Sequence, residues 1–227
     1  MSTILITGAN RSLGYETARR LIEAGHDVWV GARDEARGRA AAEALGARFV
    51  QLDVTSDDSV AAAVQTVGSL DVLINNAGIP GEFVALSEVT VEHLRPVFEV
   101  NAFGPVRVLQ AFRPLLEQSS NPVVVNVSSG MGSIGVTSDP DRVESGMHNL
   151  SYSPSKTALN MLTTQWAKAY PGMRINAVDP GYTATDINNH SGPQTVEEGT
   201  DAIVELAQIG PDGPTGEFRD RHGLVPW

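Results

Sequence analysis

Cysteine is absent from the 227 residues, which removes disulfides, thiolate metal sites and cysteine nucleophiles together and is consistent with the cytosol. No apolar run reaches the roughly 18 residues that a membrane helix requires. The first apolar stretch, Ile4 to Ile6, stops at Thr7 and Gly8, so neither a membrane span nor a signal peptide is expected and the chain is read as cytoplasmic. Internal repeats, low-complexity tracts and linkers are missing too. Positive charge is scarce: 16 Lys and Arg stand against 27 Asp and Glu, a formal net charge of −11. Such a surface repels nucleic acid and anionic membranes, so neither is an expected partner, and an anionic ligand must be held by a local cluster of positive groups. With 41% hydrophobic and 19% charged residues, the chain can bury one sizeable core, which excludes disorder, collagen and coiled coil.

Short β-rich runs alternate with longer helical patterns. Strands are expected at Thr3 to Ile6, Asp27 to Gly31, Arg48 to Leu52, Val72 to Asn75, Val123 to Val127 and Arg174 to Val178, with a late edge strand at Thr215 to Phe218. Several are nearly continuous Val, Ile and Leu, the composition of strands buried on both faces. Helices are expected at Leu13 to Ala24, Glu35 to Leu45, Ser56 to Thr66, Val91 to Glu117, Tyr152 to Ala169 and Val196 to Gln208. Thr55 or Ser56 can cap the third, with Asp57 and Asp58 in its first turn, and Glu197 and Glu198 suit the positive end of the last. Gly25, Gly46, Gly68 and Gly172 read as helix stops. The alternation predicts an α/β fold: one Rossmann-type, doubly wound parallel sheet with helices on both faces, spanning residues 1–227 as a single domain.

The first strand runs into Gly8, Asn10, Arg11, Ser12, Leu13 and Gly14 and then a helix, a small-residue turn whose free N–H groups suit a pyrophosphate. By itself the turn can equally end a strand and pack a helix. At the tip of the second strand, Arg33 stands where an acid would accept from the ribose of NAD, and an arginine there can fork onto the 2′-phosphate of NADP. Arg11 adds a second positive charge. Asp53 and Val54 after the third strand, and Asn75, Ala77 and Gly78 at the fourth, lie at carboxyl ends of strands, where open α/β sheets bind ligands.

The strongest local signal is Tyr152 with Lys156, since residues four apart share a helix face. That helix follows the strand ending in Ser128 and Ser129, so a hydroxyl and a Tyr–Lys pair converge on the same sheet edge as the glycine-rich turn. A nearby ammonium and the positive nicotinamide ring of an oxidised cofactor would both lower the phenol's pKa, which fits proton transfer at a carbon-bound oxygen.

Together these residues resemble the short-chain dehydrogenase/reductase family, over nearly the whole chain. The resemblance implies a catalytic set of Asn101, Ser129, Tyr152 and Lys156. Ser129 would polarise a carbonyl, and Asn101, inside the long fourth helix, would hold a water that links Lys156 to solvent. It also implies that Pro180 and Gly181 shape the loop after the sixth strand, that Thr183 and Thr185 reach the carboxamide and diphosphate, that Asp53 and Val54 flank adenine, and that Ala77 and Gly78 line the ribose side. The arginines at 11 and 33 and the Arg219-to-Trp227 ending look most like NADPH-dependent carbonyl reductases, so NADP(H) is the expected cofactor and a small aldehyde, ketone or quinone the expected substrate. Ser129, Met131, Tyr152 and Tyr182 would contact that substrate, with an apolar or aromatic preference. The long helices that pair between subunits in the family imply a homodimer or homotetramer.

Three features depart from the family pattern. Ser12 stands where Gly or Ala is usual, so its side chain must turn aside or bond a phosphate. Ser133 to Leu150 forms an inserted loop, with Asp139, Asp141, Arg142 and Glu144 suggesting exposure. The lid between Asp186 and Thr195 is short. Two other activities share the fold: a catalytically silent NADP sensor, for which a proton relay has no use, and a lyase or isomerase working through a transient ketone.

Overall fold

The computed structural model describes residues 1–227. Its sheet has the strand order β3-β2-β1-β4-β5-β6-β7-β8, formed by β1 (Thr3–Thr7), β2 (Asp27–Ala32), β3 (Arg48–Gln51), β4 (Val72–Asn75), β5 (Val123–Val127), β6 (Arg174–Val178), β7 (Phe218–Asp220) and β8 (Gly223–Leu224). All neighbours pair in parallel except β7 with β8. The period of two along each strand sends alternate residues to opposite faces. Ile4 and Ile6 meet Ala18 and Leu21 of α1 (Ser12–Glu23), Ala41 and Ala42 of α2 (Glu35–Leu45) and Ile203 and Leu206 of α9 (Asp201–Ala207). Leu5, between them, faces α3 (Asp57–Val67), α5 (Gly104–Leu116) and α7 (Tyr152–Ala169), whose Val60, Phe112, Leu159 and Trp166 fill the other layer. This is the expected doubly wound Rossmann architecture. The chain runs outward from β1 to β3 and then returns to β4 beside β1, so the crevice opens between the carboxyl ends of β1 and β4.

Several boundaries differ from the sequence reading. The helix expected over Val91 to Glu117 is broken into α4 (Val91–Phe98), a π-turn at Glu99–Phe103, and α5. Pro105 has no N–H to return to the carbonyl four residues back, and the Gly104 N–H reaches Glu99, five residues back. The helix expected over Val196 to Gln208 divides at Thr200 into α8 (Val196–Gly199) and α9, where the Thr200 hydroxyl donates to the Glu197 carbonyl and Arg20 Nη1 donates to the same carbonyl and to Thr200 Oγ1. The late strand begins at Phe218, because Gly216 turns with φ +73° and Thr215 Oγ1 is occupied by the Ile175 N–H. It is not the sheet edge; β8 lies outside it. Gly25, Gly46 and Gly68 have positive φ, whereas α7 is capped at Tyr170 and Gly172 does not adopt the left-handed conformation.

The segment from Ser133 to Leu150 is partly structured. It contains α6 (Ile134–Thr137) and a short turn at Val143–Gly146. Asp139, Asp141 and Arg142 are exposed, while Val136 is buried against Phe218 and Val225. Residues 226 and 227 clamp its start: the Ser133 hydroxyl donates to the Pro226 carbonyl and the Gly135 N–H to that of Trp227, whose ring stacks on Phe218.

Candidate active site

A cleft with about 1290 Å³ of open space lies along the carboxyl edge, from Arg33 at one end to Tyr152 and Lys156 at the other. Its floor is the turn after β1. Gly14 is held there by contact: a Cβ would sit 2.5 Å from Asn76 Nδ2 and 2.8 Å from the Gly8 carbonyl oxygen. Asn76 ties the two strand ends together by donating Nδ2 to the carbonyls of Thr7 and Gly8 at 2.8 and 3.2 Å, and Thr7 Oγ1 accepts the N–H groups of Asn76 and Ala77. Asn10, Arg11, Ser12 and Leu13 line this end, with Ala77 and Gly78 opposite and Asp53 and Val54 at the side.

Ser12 turns aside. It adopts φ +48° and donates to Asp186 Oδ2 at 2.9 Å, while Arg11 Nη1 approaches the same oxygen at 3.5 Å. The short lid thus rests on the glycine-rich turn through a single carboxylate. Arg33 lines the cleft with no ion pair of its own. One helical turn further on, Arg37 joins it; Asp34 caps α2 by accepting the Arg37 N–H. The sequence reading did not single out Arg37, although its i,i+4 spacing from Arg33 was the available signal.

At the other end, Asn149 places the start of α7. Its Oδ1 accepts the N–H groups of Ser151 and Tyr152 at 3.0 and 2.7 Å. Asn101, fully buried in the π-turn, accepts the Ile79 N–H and donates to the Ile79 carbonyl and to Ser155 Oγ, all within 3.0 Å. Its carboxamide is thereby spent on the scaffold, locking the first turn of α7 against the loop after β4. Lys156 is 4% exposed and donates Nζ to the Val127 carbonyl at 2.8 Å. Ser129 caps a short turn by accepting the Met131 N–H at 3.2 Å, whereas Ser128 is buried and donates to Asn160.

Lys156 Nζ lies 5.7 Å from the centre of the Tyr152 ring while it donates to the Val127 carbonyl. Desolvation pushes Tyr152 up to about 12, aided by the charge of Asp179 and opposed by the Ser129 hydroxyl. Burial pushes Lys156 down to about 8. A phenol keeps its proton at neutral pH with or without this shift, which leaves Tyr152 available as a proton donor.

Some expected residues stand elsewhere. Asn75, the last residue of β4, is 3% exposed and donates to Asn126, away from the cleft; its neighbour Asn76 takes the wall position. Thr183 turns inward and donates to the Pro180 carbonyl, whereas Pro180 and Thr185 do reach the cleft. Gly181 and Tyr182 line a second cavity, and the Tyr182 hydroxyl meets Ser191 Oγ at 2.7 Å. Met131 lines neither cavity.

Residues 2–195 match the short chain dehydrogenase family. Among curated proteins, (-)-isopiperitenone reductase from Mentha piperita is 33% identical, with 96% of this chain and 95% of that protein covered. The aligned region extends over 299 positions, so the mint protein carries segments this chain lacks. (+)-Neomenthol dehydrogenase from Arabidopsis thaliana is also 33% identical, over 96% of this chain and 95% of its own. Among solved structures, the NADPH-bound carbonyl reductase from chicken fatty liver superposes with a TM-score of 0.89 at 27% identity, covering 100% of this chain and 99% of its own. Family match, fold and full-length relatives agree: the chain belongs to the short chain dehydrogenase family.

Proposed function

We propose that residues 1–227 act as one NADPH-dependent carbonyl reductase unit. The observation that carries this reading is a single cleft with an unpaired arginine, Arg33, at one end and Tyr152 and Lys156 at the other, with Ser128 in its lining and the Ser129 hydroxyl beside Tyr152. The cleft runs along the carboxyl edge from Arg33 to Tyr152 and Lys156, an elongated shape that suits an extended dinucleotide. When bound, NADPH supplies a hydride to a carbonyl carbon. Arg33, with Arg37 one turn away, would hold the 2′-phosphate, and the N–H groups at the start of α1 would face the diphosphate. NADPH in the chicken carbonyl reductase supports this choice.

Ser129 positions the carbonyl oxygen by hydrogen bonding. Tyr152 donates its phenolic proton to that oxygen, and a phenol holds that proton at neutral pH. Lys156, anchored on Val127, would support the ribose, and its ammonium would stabilise the phenolate left when Tyr152 gives up its proton. The substrate is a small aldehyde, ketone or quinone. No helix is long and apolar enough to cross a membrane.

The test is loss of NADPH absorbance with a panel of aldehydes, ketones and quinones, run with wild type and Tyr152→Phe. Turnover by wild type and a fall of roughly 10² to 10⁴ in the variant are expected, the scale of general acid catalysis. Turnover retained within a few-fold in Tyr152→Phe refutes its role. Binding without turnover favours a sensor, and product formation without net NADPH consumption favours an isomerase or lyase.

A further inference from the structure

Ser128 and Ser129 leave β5 side by side with their hydroxyls going separate ways: that of Ser129 lies beside the Tyr152 phenol, and that of Ser128 donates to Asn160 Oδ1 at 2.5 Å. Asn160 has no part in the scheme above. It stands on α7, eight residues after Tyr152 and four after Lys156, and is 3% exposed. Both ends of its carboxamide are engaged, because Nδ2 donates to the Gly132 carbonyl at 3.1 Å. One side chain thus fastens the turn 128–132 at its entry and at its exit, with Ser129 enclosed between. Inside the turn the Ser129 carbonyl accepts the Gly132 N–H at 2.8 Å and the Ser129 hydroxyl accepts the Met131 N–H at 3.2 Å, so the place of that hydroxyl follows from the backbone that Asn160 holds. The turn also lies flush on the helix: a Cβ at Gly132 would sit 2.7 Å from Lys156 Cβ. Packing alone would keep it there, and an apolar residue at 160 would avoid the cost of burying an amide. What packing does not fix is the angle, since apolar contact is non-directional whereas two hydrogen bonds from one planar group set a direction.

We propose that Asn160 is a positioning residue for carbonyl reduction, setting the Ser129 hydroxyl at a fixed distance and angle from the Tyr152 phenol by tying the 128–132 turn to the helix that carries Tyr152. The inference rests on Ser129 and Tyr152 sharing one carbonyl oxygen, as proposed above. Two hydroxyls must reach that atom together, yet they come from separate elements, the end of β5 and the start of α7. Asn149 fixes Tyr152 on its helix; Asn160 fixes that helix against Ser129. Asn160 is not among the residues lining the cleft, so it acts through Ser129 and not on the substrate. A misplacement of about 1 Å in such a pair costs roughly 10²-fold in rate.

The experiment measures kcat, KM and NADPH affinity in the full-length protein, using the panel compound that wild type reduces fastest. It compares Asn160→Ala, and the pair Ser128→Ala with Asn160→Leu, each alone and combined with Ser129→Ala. The paired change removes the Ser128–Asn160 hydrogen bond from both sides and keeps the helix packed, so it separates angle from stability. In both, kcat should fall about 10- to 100-fold while NADPH affinity stays within about two-fold of wild type. Ser129→Ala itself should lower kcat by roughly 10² to 10³, and in that background the same changes should lower it by less than about two-fold further, because the hydroxyl they position is already gone. Thermal unfolding of each variant shows whether the fold is intact. Undiminished kcat, or a loss of the same size without Ser129, overturns the proposal; failure of both variants to fold overturns it too, by showing a purely structural residue. Undiminished turnover in Ser129→Ala, by contrast, overturns the reading in which Ser129 holds the carbonyl oxygen.

Discussion

Replacing Lys156 with methionine should make the protein more stable while abolishing its turnover. The ammonium is 4% exposed and holds one hydrogen bond, to the Val127 carbonyl. Burial moves its pKa from the ordinary 10.5 to about 8. That difference corresponds to about 3 kcal/mol against the charged form. A base depressed by folding costs stability wherever it is protonated: the cost is full below about 8, declines as pH rises towards 10.5 and is gone above it. Wild-type stability should therefore rise between pH 7 and 9.5. Methionine fills similar space without charge, and losing the bond to Val127 gives back roughly 1 kcal/mol. The net gain at pH 7 is about 2 kcal/mol, a rise in Tm of roughly 4 to 8 °C for a chain of this size. Thermal melts of both proteins from pH 7 to 9.5, with turnover alongside, decide it. A Lys156→Met protein that melts lower than wild type at pH 7, or keeps the same pH-dependent rise, refutes the argument.

Arg33→Ala should weaken NADPH about 10- to 150-fold and leave NADH nearly unchanged, since hydrogen bonds to charged groups contribute about 1.5 to 3 kcal/mol; fluorescence titration with both cofactors checks it, and equal losses would place the phosphate elsewhere. Asn101→Ala leaves the Ile79 N–H and carbonyl without their partner and should cost about 2 to 4 kcal/mol in urea unfolding. Asp186→Asn frees Arg11 and removes a negative charge beside the glycine-rich turn, so NADP(H) should bind about 2- to 5-fold more tightly, within the small energy of an exposed pair; weaker binding would mean that Asp186 holds Arg11 in its binding posture.

The strands, their order and the cleft's position are legible in the sequence because unbroken apolar runs and βα alternation leave few topologies. What it conceals has local causes. Pro105 is there to read as a break before α5, but the π-turn's use of Asn101 to hold the backbone of Ile79, 22 residues away, is a tertiary contact of which helical periodicity carries no trace. Asn75 and Asn76 are chemically identical, and only the pleat at the end of β4 decides that one bonds Asn126 and the other walls the cleft. Thr183 and Tyr182 lie in a loop, where no period tells inward from outward. Proximity of Tyr152 and Lys156 along a helix is legible, but the bond from Lys156 to the Val127 carbonyl is a tertiary contact that no spacing shows.

The clamp of residues 226 and 227 on Ser133 and Gly135 has a consequence for synthesis. Ser129, Tyr152 and Lys156 leave the ribosome long before those two residues do. Until Pro226 and Trp227 emerge, the start of the segment that follows Ser129 lacks its closing bonds, and the Phe218 face that Trp227 covers stays bare. The nascent chain can assemble the β1-to-β4 half of the sheet early, as N-terminal units do, but the reactive end must wait for a contact that spans more than 90 residues. A nascent protein stalled just short of residue 226 should thus hold a dinucleotide cleft before it holds a competent proton donor.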